Sequence, residues 1–176
     1  MTIAIVPYDP AWPLDFARER DRLQADLGEL ALRIEHHGST AVRGLAAKPV
    51  IDIQISVARL QPLSAYAAAL ARLGYVHAAS ADDDRCPFFH RPASWPHTPP
   101  VHVVAAGGDE EQRTLAFRDY LRAHPDAARE YEALKRALAE TFGGADAAGR
   151  EAYANAKSDF VTRIDALTRR AASRQA

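Results

Sequence analysis

A glycine-serine pair at Gly38 and Ser39, twelve residues ahead of an aspartate at Asp52, is the part of this 176-residue sequence with the clearest capacity for chemistry. Glycine lets a tight turn bring its backbone N–H groups close to an anion, and a serine hydroxyl adds a further donor, so Gly38, Ser39 and the neighbouring Thr40 form a candidate phosphate cradle. Asp52 lies in a run where Ile51, Ile53, Ile55 and Val57 alternate with Asp52, Gln54 and Ser56. A strand of that pattern turns its polar side chains to one face. A carboxylate on that face, Asp52, is a candidate ligand for Mg²⁺, which takes oxygen donors and completes its shell with water and substrate phosphates. Arg43 and Lys48, between the turn and the strand, supply positive charge for the same phosphate. The plainer alternative is a surface turn followed by a strand with one solvated face.

Positioning such a site needs a sheet with helices around it. Leu32 and Ile34 alternate with Arg33 and Glu35 in a strand that runs into His36 and His37, with His36 toward the core and His37 on the polar face with Asp52. Trp12, Phe16, Leu23 and Leu27 mark one stripe of a first helix that Gly28 ends. Residues 1–7 read as an extended arm or short strand, residues 60–73 as an alanine-rich helix stopped at Gly74, and Tyr75 and Val76 as the start of a strand. Short strands are expected at residues 88–91 and 101–105, the latter turning His102 toward the site. Pro92, Pro96, Pro99 and Pro100 mark an irregular connection between them. The last third reads as helices, broken at His124 and Pro125. Its stripes are Phe117, Tyr120 and Leu121, then Tyr131, Leu134, Leu138 and Phe142 before Gly143 and Gly144, then Tyr153, Phe160, Ile164 and Leu167. A Tyr-x-x-x-Lys spacing occurs at Tyr131 and Lys135 and again at Tyr153 and Lys157; two matches do not make a repeat, and the echo reads as incidental. The expectation is one α/β (α+β) domain over residues 1–176, a mixed sheet flanked by helices, with residues 114–171 a helical layer.

Composition removes several classes of function. Lys and Arg number 22 against 23 acidic residues, so there is no basic field to draw nucleic acid non-specifically. No stretch approaches the roughly 18–20 apolar residues of a membrane span, and residues 1–7 lack the pattern of an export signal. Cys86 is the single cysteine and forms no internal disulfide, in keeping with the cytoplasm. No Gly-x-Ser-x-Gly elbow is present and Cys86 has no histidine partner by spacing, which leaves nucleophilic hydrolysis without support. His90, His97 and His102 lack the spacing of a zinc site, and Asp82, Asp83 and Asp84 lack the alternation of a calcium loop. Arg118 and Arg122, one helical turn apart, either close over an anion or pair with Asp119 and Asp126.

The segment His36-His37-Gly38-Ser39-Thr40-Ala41-Val42-Arg43-Gly44-Leu45-Ala46-Ala47-Lys48-Pro49-Val50-Ile51-Asp52-Ile53 closely resembles the signature of the GrpB family. Val6-Pro7-Tyr8-Asp9-Pro10-Ala11-Trp12, Phe88-Phe89, Val101-His102-Val103-Val104, Phe117-Arg118-Asp119-Tyr120-Leu121-Arg122 and both Tyr-x-x-x-Lys spacings extend the resemblance, in order, over nearly the whole chain. GrpB proteins resemble the nucleotidyltransferase superfamily, so the resemblance implies that fold. It also implies a site where the Gly-Ser turn holds a nucleotide's phosphates and strand carboxylates hold metal. Gly38, Ser39 and Asp52 match that pattern. Gln54, whose amide still offers an oxygen, stands where the second carboxylate belongs, and no acid stands in residues 101–105, where His102 takes the place of the third. Arg43 stands where proline is usual and Pro100 where histidine is usual. A two-ion mechanism needs charge to hold dications about 3.5–4 Å apart, and Asp52 alone suits one ion better than two.

The reading is a GrpB-family nucleotidyltransferase-like protein that binds a nucleotide or another phosphorylated small molecule, with Mg²⁺ as the expected ion and transfer of a nucleotidyl group as the expected chemistry. Asp52 would carry the metal, the Gly38–Ser39 turn would orient the phosphates and Lys48 would offset leaving charge. His37, His102 and Arg118 would complete the pocket. The alternatives are a binding or regulatory module that kept the phosphate pocket and lost catalysis, and a protein-interaction domain with no small ligand.

Overall fold

In the computed structural model, residues 3–91, 99–142 and 147–173 are described. The expected proline breaks at Pro92 and Pro96, His97, and the stop at Gly143 and Gly144 lie outside them. The chain enters as an arm, with Val6 and Ala47 exchanging backbone hydrogen bonds of 2.9 and 3.0 Å. Asp9 accepts the Ala11 N–H at 2.8 Å and turns the chain into α1 (Trp12–Leu27), which has proline in its first turn and ends at Gly28. Its buried stripe is Trp12, Leu23 and Leu27, as the spacing demands.

Five strands form one mixed sheet: β1 (Arg33–His37), β2 (Asp52–Val57), β3 (Val76–His77), β4 (Phe88–His90) and β5 (Val101–Ala105), in the order β1-β2-β5-β4-β3. β1 runs antiparallel to β2 with His37 opposite Asp52 and Glu35 opposite Gln54. β5 runs parallel to β2 with Gln54 beside His102. Ile51, Ile53, Ile55 and Val57 pack with Trp12, Leu23, Leu27 and Leu70 into a core shared with α1 and α2 (Ser64–Arg72). The helix of residues 60–73 starts late, at Ser64, because Pro62 disfavours helical backbone at Gln61.

The solvated face considered for β2 does not exist along its length. α3 (Asp109–Ala123) lies across it, and Gln54 and Ser56 are fully buried. α4 (Pro125–Phe142), α5 (Ala147–Asn155) and α6 (Ser158–Ser173) complete the helical part. A second core joins Leu121, Tyr131, Phe160 and Ile164 to Val42 and Leu45 of the loop after the Gly-Ser turn. The third apolar stripe is divided: Tyr153 is on α5 and Phe160, Ile164 and Leu167 are on α6, with Lys157 in the turn between. Leu32 is 54% exposed and precedes β1 rather than packing within it. Among the described residues no helix is long and apolar enough to cross a membrane.

Candidate functional site

β1 ends at His37, and the chain reverses through Gly38 at φ +71° and ψ −171° into a short helical turn, Ser39–Ala41. Only glycine takes that backbone without strain. Thr40 fixes the turn from inside: its hydroxyl donates to the Val50 carbonyl at 3.0 Å and lies 2.9 Å from Nε2 of the buried His36. His36 stacks on Phe16 with centroids 4.9 Å apart, the core position expected for it. From behind, Arg122 donates to the Ala41 carbonyl at 2.8 and 3.0 Å.

The turn opens onto a cavity of about 510 Å³. Ser39, Thr40, Lys48, Asp52 and His102 line it together, so five expected site residues from three segments share one space. Val50, Phe88 and Pro100 give it an apolar wall. The helical part closes it with Lys135, Tyr153 and Lys157. Burial pushes the Tyr131 hydroxyl up to about 12, with the Ser39 side chain working the other way. The two Tyr-x-x-x-Lys spacings, read as incidental, thus both come to the cavity. Their signal was visible as a helical i,i+4 pairing, but nothing in the sequence says that α4 and α5 fold back onto the Ser39 turn.

Aromatic faces hold the cations in place. Lys48 Nζ is 4.1 Å and Lys157 Nζ 4.6 Å from the centroid of the Tyr153 ring, and Lys135 Nζ is 4.9 Å from that of Tyr131. Lys135 also donates to the Ala46 carbonyl, while Glu132 accepts the Ala46 N–H at 3.1 Å. Burial pulls the Lys135 ammonium down to about 7 and lowers Lys157, where attraction to Asp52 works the other way. Burial pushes the Asp52 carboxyl up to about 6, against the pull of Lys157 and Lys48. His102 is held down to about 4 by burial and is neutral at pH 7. It packs on Phe88 and His37, with centroids 5.0 and 5.1 Å away, and its Nδ1 is 3.7 Å from Cys86 Sγ, a histidine contact that spacing had not revealed.

Four expected residues sit elsewhere. Gln54 is buried under α3, where its Oε1 accepts a hydrogen bond from Thr114, and it does not line the cavity. α3 crosses the sheet over Gln54 and Ser56 and leaves only the Asp52 end of β2 open. Arg43 is exposed beside a separate hollow with Val42 and Leu121. Arg118 binds Glu35 at 2.7 Å, the His36 carbonyl at 3.0 Å and Asp119 at 2.8 Å, tying α3 to β1 in place of closing over an anion. His37 lies beneath the cavity wall against His102, and its Nε2 is buried without a hydrogen bond among the described residues.

The raised Asp52 carboxyl carries a stability consequence. The folded protein holds this proton up to about pH 6, while the ordinary value is 3.8. Stability therefore falls as pH rises through that window, because the folded state binds more protons than the unfolded one. Asp52→Asn is expected to gain about 1–3 kcal/mol at pH 8, from 1.36 kcal/mol per unit discounted for the open side of the cavity. That gain should fade towards pH 4. Thermal unfolding of both proteins from pH 4 to 8 checks it; equal midpoints at pH 8 would show that Asp52 bears no burial penalty.

Comparison with known proteins follows the same lines. The sequence profile described as GrpB protein matches residues 2–166. A UPF0157 protein of Halalkalibacterium halodurans is 38% identical over 164 residues, a match spanning 93% of this chain and 80% of that protein. A protein of Mycolicibacterium paratuberculosis named dephospho-CoA kinase is 37% identical over 168 residues, covering 81% of this chain but 41% of the longer relative. The crystal structure of the conserved protein GrpB from Enterococcus faecalis superposes with a TM-score of 0.81 at 31% identity, covering 94% of this chain and 96% of that one. With the profile matching residues 2–166 of the 176 and the fold shared with a solved member, the chain belongs to the GrpB family.

Proposed function

We propose that the cavity binds a nucleotide or another phosphorylated small molecule, with its phosphate against the Ser39 turn. One observation carries this reading: Lys48, Lys135 and Lys157 converge with Ser39 on a cavity in which Asp52 is the only carboxylate among the described lining residues. Three ammonium groups against one acid favour an anion, and the early N–H groups of a helical turn lack partners within it. The apolar wall of Val50, Phe88 and Pro100 suits a base or other flat group, and about 510 Å³ lies in the range of small-molecule sites. In this arrangement Ser39 donates to phosphate, and the lysines neutralise it.

The donors fit a metal ion poorly. Gln54 is spent on Thr114, residue 102 is a histidine, and among the described residues no three His, Cys, Asp or Glu side chains gather to hold an ion. The two-ion route of nucleotidyl transfer therefore has no ligand set among the described residues.

Calorimetry with AMP, ATP, GTP, CTP, UTP and dephospho-coenzyme A tests the reading, the last included because one relative bears the name of its kinase. Saturable binding by at least one of them is expected, weakened roughly tenfold in Ser39→Ala, the effect of losing one charge-assisted hydrogen bond of about 1.5 kcal/mol. An absence of heat with the whole panel, or equal affinity in Ser39→Ala, counts against it.

A further inference from the structure

The charge in the cavity comes mostly from the helical part of the chain, and it occupies the place where a metal would be expected to work. Lys157 and Lys48 are the groups whose charge acts on Asp52, and both are held over the same Tyr153 ring, 4.6 and 4.1 Å from its centroid. Lys135 is anchored on the Ala46 carbonyl over Tyr131, so its ammonium cannot swing out to solvent without losing a buried hydrogen bond. A dication brought to Asp52 would face these positive charges with one carboxylate among the described lining residues to hold it. A phosphate would meet them as ready-made counterions. The charge count narrows the ligand: among the described lining residues, three lysines less Asp52 leave two positive charges when all are ionised and somewhat less at pH 7 in the empty cavity, where burial holds Lys135 down to about 7, and His102 adds none. A phosphate monoester carries about −1.5 to −2 at pH 7. A free triphosphate exceeds that sum, and its usual Mg²⁺ complex would meet one carboxylate, Asp52, that already faces Lys157 and Lys48.

We infer that the cavity takes a phosphate monoester as the free dianion, with the ammonium groups of Lys135 and Lys157 doing the charge neutralisation that a divalent ion does in metal-dependent phosphate sites. This rests on the phosphate reading above and specifies its ligand class. Lys157 and Lys48 give Asp52 a role without a second acid at Gln54: Asp52 serves as their counterion and limits their mutual repulsion when the cavity is empty.

The test is calorimetry with AMP and with ATP, each in EDTA and in excess Mg²⁺, on the wild-type chain and on Lys157→Gln, whose folding is checked by circular dichroism and thermal unfolding. AMP is expected to bind in EDTA, with affinity changed less than about twofold by Mg²⁺, and to weaken roughly tenfold in Lys157→Gln, the loss of one ion-to-ion hydrogen bond. Mn²⁺ titration followed by electron paramagnetic resonance, with AMP present, should show no saturable site that Asp52→Asn removes. Binding of AMP or ATP only when Mg²⁺ is present, or an Asp52-dependent Mn²⁺ site, overturns the metal-free inference and leaves the phosphate reading standing. If neither nucleotide binds in either buffer, and inorganic phosphate does not bind either, both readings fall together. Lys135→Gln provides a second variant should Lys157→Gln not fold, with the same expected loss.

Discussion

Gly38→Ala is expected to lose about 2–6 kcal/mol of stability, the sum of a backbone strain of about 1–3 kcal/mol and an overpacking cost of similar size. Two separate facts converge on this residue. Its backbone sits at φ +71° and ψ −171°, a region that side-chain-bearing residues scarcely enter. A Cβ placed there would also run into Asp52 Oδ2 and stand 3.1 Å from the Asp52 Cβ and Cγ. Gly44 separates the two causes, since it has φ +82° with nothing within 4 Å of an added Cβ. Gly44→Ala should therefore show only the strain, about 1–2 kcal/mol. Denaturant unfolding of both variants reads the difference, which is the cost of pushing Asp52 aside. Equal losses in the two would mean that Asp52 moves freely and that the close approach of turn and carboxylate is unimportant. Because the displaced group belongs to the cavity, Gly38→Ala should also weaken the phosphate-ligand binding proposed for it, while Gly44→Ala, on the outer side of the loop, should not.

The second large effect lies away from the cavity, at Glu111 in the first turn of α3. Its buried carboxylate accepts from both ends of the Arg33 guanidinium at 2.6 to 3.0 Å, from the Gly107 N–H at 2.6 Å and from the Ser56 hydroxyl. One side chain thus joins β1, β2, the loop before α3 and α3 itself, and keeps that helix over Gln54 and Ser56. Its reach back to the backbone ahead of the helix is the habit of a glutamate three residues past a cap, where it also faces the positive end of the helix dipole. Glu111→Ala leaves the fully buried Ser56 hydroxyl without its acceptor, at about 1–3 kcal/mol, and the more exposed Gly107 N–H, at about 1 kcal/mol, so a loss of about 2–4 kcal/mol is expected at pH 7. Burial alone would raise this carboxyl, but the hydrogen bonds from Arg33, Ser56 and Gly107 outweigh it and hold it below the ordinary 4.5. A depressed carboxyl stabilises the fold above its unfolded value and ceases to do so as pH falls through its folded one. The gap between wild type and Glu111→Ala should therefore be full at pH 7 and shrink below about pH 4.5. Chemical unfolding at pH 7 and pH 3.5 measures it, and a gap that stays constant with pH would show that the ionised carboxylate is not what holds α3 down.

These two residues also show how the candidate site is built in layers. Gly38 lets β1 turn tightly enough for the Ser39 turn to meet Asp52 edge to edge, and Glu111 with Arg118 clamps α3 onto the sheet beside it. The cavity is what remains open at the Asp52 end of β2, between the sheet and the helices that carry Tyr131, Lys135, Tyr153 and Lys157.

The sequence by itself determined whatever local periodicity and backbone chemistry control. Alternation around Asp52 placed Ile53 and Ile55 in one core and Asp52 on the opposite face, and the Trp12, Leu23 and Leu27 stripe made α1, because side-chain direction follows directly from strand and helix repeat. The Gly38-Ser39 turn, His36 turned inward and His102 turned toward Asp52 were legible for the same reason, as were the motifs that resemble the GrpB family. Tertiary structure decided which polar residues meet. Gln54 and Asp52 share a strand face, and only the path of α3 makes one a buried partner of Thr114 and the other a cavity wall. Arg118 was aimed at an anion by its type and spacing, but Glu35 and the His36 carbonyl, more than eighty residues away in the chain, claim it first. Lys135 and Lys157 were passed over because a helical Tyr-x-x-x-Lys pair has no direction until its helix is packed. Charge acts through space over a few ångströms, and sequence spacing fixes such distances only within one element, so the cation count of the cavity was settled by the fold of α4 and α5 back onto the Ser39 turn.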